Sequence, residues 1–221
     1  RVAELFAGVG GFRLGLEGLP GKEQETGFRV VFSNQWEPGK KKQWASEIYE
    51  KRFGPEETHI NRNIEQVWKT CPDHDLLVGG FPCQDYSVAR TVSGERGIKG
   101  EKGKLWTFIK KIVELRRPPL ILLENVPRLL NSPSKQRGPN FAKILNDLIK
   151  KNYDVEWRVI NAADYGMPQR RRRVFILAYA PGTPQHEALT SGNDILGWIE
   201  NTGVHAQAFP IQPLGVLVAV P

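Results

Sequence analysis

Few side chains in this sequence stand where covalent or proton-transfer chemistry needs them, at the ends of apolar runs. Cys83 follows the run Asp75-Leu76-Leu77-Val78-Gly79, inside Gly80-Phe81-Pro82-Cys83-Gln84. Cysteine is most often a small buried hydrophobe. One that follows an apolar strand, with a proline fixing the backbone just before it, is instead a candidate thiolate nucleophile. Glu124 ends Pro119-Leu120-Ile121-Leu122-Leu123, a run with no polar alternation. A carboxylate there is either a cap or solvent-facing group, or a buried acid whose pKa is raised. Gln169 precedes four arginines, Arg170 to Arg173, an arrangement that by itself reads as a solvated face or a phosphate-binding patch. The second cysteine, Cys71 in Thr70-Cys71-Pro72, has no apolar strand before it and is assigned to structure.

The elements that must hold these groups alternate between strand-length apolar runs and helical periodicity. Val2 to Phe6 reads as a first strand, ending in the turn Ala7-Gly8-Val9-Gly10-Gly11 and a short helix from Phe12. Glycines in such a turn allow a ligand to approach the backbone at a helix N-terminus. The spacing is not that of the dinucleotide fingerprint, since Arg13 stands where the third glycine would be, and no Lys-Ser/Thr pair makes it a P-loop. Further strands are expected at 28–33, 75–79, 120–124, 155–161 and 174–179, and a basic helix at 40–53. Leu105, Phe108, Ile109, Ile112 and Val113 recur at i, i+3, i+4, i+7, i+8 and predict a helix over 104–116; Phe141 to Ile149 repeats the pattern. This alternation implies an α/β fold, a doubly wound, mostly parallel sheet with helices on both faces and ligands beyond the carboxyl ends of its strands. Residues 87–104 carry glycines at 94, 97, 100 and 103 and little apolar content, which suggests an active-site lid.

The 221 residues are 40% apolar and 25% charged, enough for one sizeable core. The net charge of +7 favours a polyanionic partner. Two cysteines make no disulfide framework and suit a reducing cytoplasm. The four histidines are dispersed and no metal site is expected. No apolar stretch is long enough for a membrane span. The only methionine is Met167, so the chain is expected to be part of a longer reading frame.

The glycine turn, Pro82-Cys83-Gln84, Glu124-Asn125-Val126 and Gln169-x-Arg171-x-Arg173 resemble, in order and spacing, the signatures of the DNA cytosine C5-methyltransferases, in particular those of bacterial restriction–modification systems. The resemblance runs from residue 4 to residue 173 and implies a Rossmann-like fold that binds S-adenosylmethionine and releases S-adenosylhomocysteine. It implies cofactor contacts from Phe6, Ala7, Gly8, Val9, Gly10 and Gly11, from Gln35 and Trp36 after the second strand, from Asn63 and Ile64, and from Gly80, Pro82 and Leu105. Two of these depart from the usual pattern: Gln35 stands where Glu normally holds the ribose, and Asn63 where Asp normally reads the adenine. The resemblance makes Cys83 the nucleophile at cytosine C6 and Glu124 the acid at N3. Arg173 would hold O2, with Arg171 in the same pocket. Gln84, Ser87, Asn125 and Arg170 would contact the DNA, Asn125 also supporting the loop. Arg170 and Arg172 then face the other way along an extended segment, toward solvent or phosphate.

Other enzymes fit less well. Amino-methyltransferases hold their target amine with an Asp/Asn-Pro-Pro-aromatic loop, and Arg117-Pro118-Pro119-Leu120 lacks both flanking residues. A tRNA-acting branch of the same family shares fold and nucleophile, and a catalytically silent relative would keep the fold. Residues 1–180 are expected to form the catalytic domain. Residues 181–221, where periodicity fades, are read as a linker or a remnant of the target-recognition and closing region. Double-stranded DNA is the expected substrate and a restriction endonuclease a possible companion; the recognition sequence is not legible.

Overall fold

A run of four buried residues, Val2–Leu5, starts the chain as the central strand β1. The computed structural model describes residues 1–23, 26–55, 58–81, 104–131, 138–192 and 194–210. After β1 come helix α1 (Gly11–Glu17), a hairpin of β2 (Gly18–Leu19) and β3 (Lys22–Glu23), strand β4 (Val30–Asn34) and helix α2 (Trp44–Phe53). Strand β5 (His59–Ile60), the four-residue helix α3 (Ile64–Val67) and strand β6 (Leu76–Gly80) follow. Then come α4 (Lys104–Arg116), β7 (Leu120–Asn125), α5 (Pro139–Ile149), β8 (Asp154–Asn161) and β9 (Arg172–Tyr179). Three short helices close the described chain: α6 (Pro184–Gly192), α7 (Ile195–Gly197) and α8 (Val204–Ala208).

Seven strands form one sheet in the order β5-β4-β1-β6-β7-β9-β8. From β5 to β7 every pairing is parallel. Strand β9 runs antiparallel to both neighbours, which brings its first residues to the edge where β6 and β7 end.

One face of the sheet, with Ala3, Leu5, Leu77, Ile121, Leu123 and Ile176, packs against Ile64, Ile109, Ile112, Ile144 and Leu148 of α3, α4 and α5. Each such fully buried aliphatic side chain contributes about 2 kcal/mol. Trp106 is buried between α4 and α5 and donates its indole N–H to Asp147 at 2.8 Å; Lys110 and Lys143 pair with the same carboxylate, which satisfies it. On the other face Val2, Val30, Leu76 and Val78 meet Phe12 and Leu16 of α1. The sheet is therefore covered on both sides, and its parallel strands read as unbroken apolar runs for that reason.

Residues 184–208, where periodicity fades, are helical and docked on β8 and β9. Trp198 is buried against Leu177 and Tyr179. Alternate residues of β8 hold the segment. Asp154 pairs with His186. Glu156 accepts from the Trp198 indole at 3.0 Å and from Tyr179. Arg158 donates to the carbonyls of His205 at 3.0 Å, Phe209 at 2.9 Å and Ile199. Such carbonyls at the ends of short helical pieces have no partner within the helix, and the guanidinium supplies one.

Candidate active site

The carboxyl edge of the sheet gathers the groups from distant parts of the chain. Gly80 ends β6 directly opposite Glu124 on β7. A Cβ at Gly80 would lie 3.2 Å from Glu124 Oε2, so the missing side chain leaves room for the carboxylate. Because β9 is reversed, Arg173 arrives beside it: its Nε is 2.6 Å from Glu124 Oε1, and Arg171 Nη2 lies at 4.0 Å from the same oxygen. Arg173 Nη1 donates to the carbonyl of Arg172 at 2.8 Å. Glu124 and Arg173 are each about one-fifth exposed, 22% and 23%. A pair this accessible contributes little stability, and its effect is to orient the carboxylate.

Asn125, the next residue, is buried; its Nδ2 donates to the Phe81 carbonyl at 3.1 Å, and its Oδ1 accepts from the Val126 N–H at 2.9 Å. Both ends of the amide are spent inside the protein. This corrects the expectation that Asn125 contacts DNA: it ties the end of β7 to Phe81, two residues before Cys83. Pro82, Cys83, Gln84, Ser87 and residues 87–103 of the expected lid lie outside the described residues.

The second group lies where β1 and β4 end side by side. Phe6 adopts a left-handed backbone, φ 55, and is half-buried against the main core. Ala7 is buried, and Val9 is exposed, with its carbonyl accepting from Arg52 at 2.6 Å. Gly10, at φ 84, has the firmest steric requirement, since a Cβ there would sit 2.2 Å from the Phe53 ring. At Gly8 and Gly11, by contrast, a Cβ would meet nothing within 4 Å, so the turn has an open side against which a ligand can lie. Gln35 is buried and its Oε1 accepts from the Gly8 N–H at 2.9 Å, tying the turn to the end of β4. Trp36 stands partly exposed beside it. These residues fit a small ligand such as S-adenosylmethionine.

Two expected contacts have structural duties. Asn63 caps α3, its oxygen accepting from the Glu65 N–H at 3.0 Å. Ile64 packs in the main core, and Leu105 lies half-buried against it.

Beneath the glycine turn lies a buried polar cluster that motif reading passed over. Glu4 is fully buried; it accepts from the Tyr49 hydroxyl at 3.1 Å and the Arg13 backbone N–H at 3.3 Å, while Arg13 Nε pairs with Glu17 at 2.6 Å. Burial pushes the Glu4 carboxyl up to about 7, against the lowering effect of these hydrogen bonds. Tyr49 stacks on His59, whose two ring nitrogens contact Ser33 and Ser46 at 2.7 Å each. The available signal was a charged residue inside an otherwise apolar strand. Cys71 is buried in the main core, and burial pushes its thiol up to about 12.

Among the described residues no helix is long and apolar enough to cross a membrane, and no group of three His, Cys, Asp or Glu side chains could hold a metal ion. Residues 1–210 match the model of the C-5 cytosine-specific DNA methylase family. The chain is 49% identical over 215 residues to the Type II methyltransferase M.Sau3AI of Staphylococcus aureus, covering 96% of this chain and 51% of that protein. It is 34% identical over 179 residues to the Type II methyltransferase M.HhaI of Haemophilus parahaemolyticus, covering 81% of this chain and 49% of that protein. The chain thus spans about half the length of these relatives. Its fold is similar to that of a Spodoptera frugiperda DNMT2 variant, with a TM-score of 0.60 at 21% identity over 83% of this chain and 50% of that one. The Entamoeba histolytica methyltransferase EhMeth superposes with a TM-score of 0.56 at 24% identity, covering 83% of this chain and 53% of its own. On these matches the chain belongs to the C-5 cytosine-specific DNA methylase family.

Proposed function

We propose that this chain supplies the catalytic part of a DNA cytosine C5-methyltransferase of the restriction–modification type, with residues 1–180 as the catalytic domain. The observation that carries the reading is Glu124, set in the space left by Gly80 and held by Arg173, with Asn125 tying the same edge to the turn that leads to Cys83. The two Type II methyltransferase relatives support it.

Cytosine C5 is too poor a nucleophile to take a methyl group directly. The base leaves the stack, at a cost of a few kcal/mol, and the Cys83 thiolate forms a bond to C6. Ring electrons move toward N3, where Glu124 holds the proton, and C5 becomes enamine-like. Arg173 uses Nε on Glu124; its Nη2 has no partner among the described residues and would hold O2 of the base. Bound S-adenosylmethionine supplies the electrophilic methyl group and is released as S-adenosylhomocysteine. Loss of the C5 proton to solvent and cleavage of the Sγ–C6 bond then restore the aromatic ring and the thiolate. The cofactor would lie along the open side of Gly8 to Gly11, near Phe6, Gln35, Trp36 and Leu105. Double-stranded DNA is the substrate, the cytoplasm the location, and a cognate restriction endonuclease the functional companion.

The test is methyl transfer by the complete polypeptide carrying this chain, from radiolabelled S-adenosylmethionine to duplex DNA and, separately, to tRNA. Label recovered as 5-methylcytosine in DNA supports the reading. Label confined to tRNA, or recovered as an amino-methylated base, overturns it.

A further inference from the structure

Arg170 and Arg172 are left over once Arg171 and Arg173 have been placed beside Glu124. The two leftover arginines line a separate cavity of about 310 Å³ at the same edge of the sheet, together with Val159, Asn161 and Asp164. Asn161 ends β8 directly opposite Arg172, which starts β9, so the strand register fixes one wall. Asn161 Nδ2 donates to Asp164 Oδ1 at 2.8 Å and fixes the carboxylate. Neither Arg170 nor Arg172 has an ion-pair or hydrogen-bond partner for its guanidinium among the described residues, and both are exposed.

Two guanidinium groups and one carboxylate leave the cavity with a net charge of +1 (two minus one). A phosphodiester carries one negative charge and offers oxygens that guanidinium groups bind in a bidentate manner. The direction of the chain supplies the second argument. Successive side chains of β9 point to opposite faces, so a residue that addresses the base, Arg173, has as its neighbour one that addresses whatever lies on the other side. For a nucleotide held at Glu124, that neighbour is its own strand.

We infer that Arg170 and Arg172 clamp a backbone phosphate of the DNA strand flanking the target base, with Asn161 and Asp164 shaping the clamp. The inference rests on the proposed reaction on DNA and adds to it a residue pair that binds backbone and not base. A contact of this kind weakens binding equally on all sequences and lowers the salt dependence, by about 0.9 in the slope of log affinity against log salt for each phosphate released.

The experiment measures duplex affinity of the complete polypeptide by fluorescence anisotropy, between about 50 and 200 mM KCl. It uses one duplex that the enzyme methylates and one that it does not. The double variant Arg170→Gln, Arg172→Gln is expected to lose about 0.9 of the slope on both duplexes, while S-adenosylmethionine affinity and thermal midpoint stay at wild-type values. The charge-retaining pair Arg170→Lys, Arg172→Lys is expected to restore the slope. A wild type that methylates duplex DNA while the glutamine variant keeps the full slope overturns the clamp and leaves the proposed reaction standing. A loss confined to the methylated duplex also overturns it, since that marks base reading. A wild type that neither binds nor methylates duplex DNA overturns both.

Discussion

Replacing Glu4 by Gln tests the electrostatics beneath the cofactor turn. Glu4 is fully buried, and the nearest cation, Arg13, has its Nε committed to Glu17. Burial raises the carboxyl from 4.5 to about 7. Between those values the folded protein holds a proton that the unfolded chain has released, so the sign is fixed. The stability from the neutral, hydrogen-bonded acid is fully present below 4.5 and is lost as pH rises through about 7. At about 1.4 kcal/mol for each tenfold change, the whole interval is worth about 3 kcal/mol, a large part of the 5–15 kcal/mol or so typical of a domain. Glutamine keeps an acceptor for Tyr49 or Arg13 and cannot ionise. Urea unfolding of both proteins across this pH range provides the assay. The variant should gain on wild type by about 1.4 kcal/mol per pH unit until the difference levels off above about pH 8. Taking the difference cancels the histidines, which titrate in both proteins. A difference that does not change with pH would refute the reasoning, because it would mean that Glu4 keeps one charge state throughout.

Three other substitutions probe the site. Gly10→Ala places a Cβ 2.2 Å from the Phe53 ring at a left-handed φ; it should cost about 3 kcal/mol and lower S-adenosylmethionine affinity, both readable by calorimetry. Asn125→Ala leaves the Phe81 carbonyl and the Val126 N–H without their side-chain partner. A stability loss of about 2 kcal/mol and a drop in kcat with unchanged cofactor affinity are expected; unchanged kcat would remove the link to Cys83. Cys71, buried and with its thiol raised to about 12, should resist iodoacetamide in the folded protein at mildly alkaline pH. Peptide mapping that finds Cys71 alkylated as readily as in urea would contradict its assignment to structure.

The sequence was most legible where one segment decides its own structure. The spacing of Leu105, Phe108, Ile109, Ile112 and Val113 defined α4, because one stripe of a helix had to be apolar to meet the sheet. The turn after β1 was readable from its glycines, and Gly10 and the Phe53 ring explain why. What depends on a distant partner was not legible. The reversal of β9 leaves no mark in its composition, although it alone brings Arg173 to Glu124. Strand β5 has two residues, too few for any pattern. The docking of residues 184–208 is written in Asp154, Glu156 and Arg158, charges spaced like one face of a strand, whose partners lie some thirty to fifty residues further on. Asn63 and Asn125 carry family motifs, yet their amides serve as a helix cap and a loop tie; composition cannot distinguish such duties from ligand contact.

The central claim, a covalent Cys83 adduct on a cytosine presented to Glu124, is tested most directly with duplex DNA containing 5-fluorocytosine at the methylated position. Fluorine at C5 cannot leave as a proton, so the bond from Cys83 Sγ to C6 should persist after methyl transfer. Mass spectrometry of the digested complex should then find the modified nucleotide on the peptide containing Cys83, and Cys83→Ser should give no adduct. An adduct mapped to Cys71, or full methylation activity in the Cys83→Ser protein, would contradict the account.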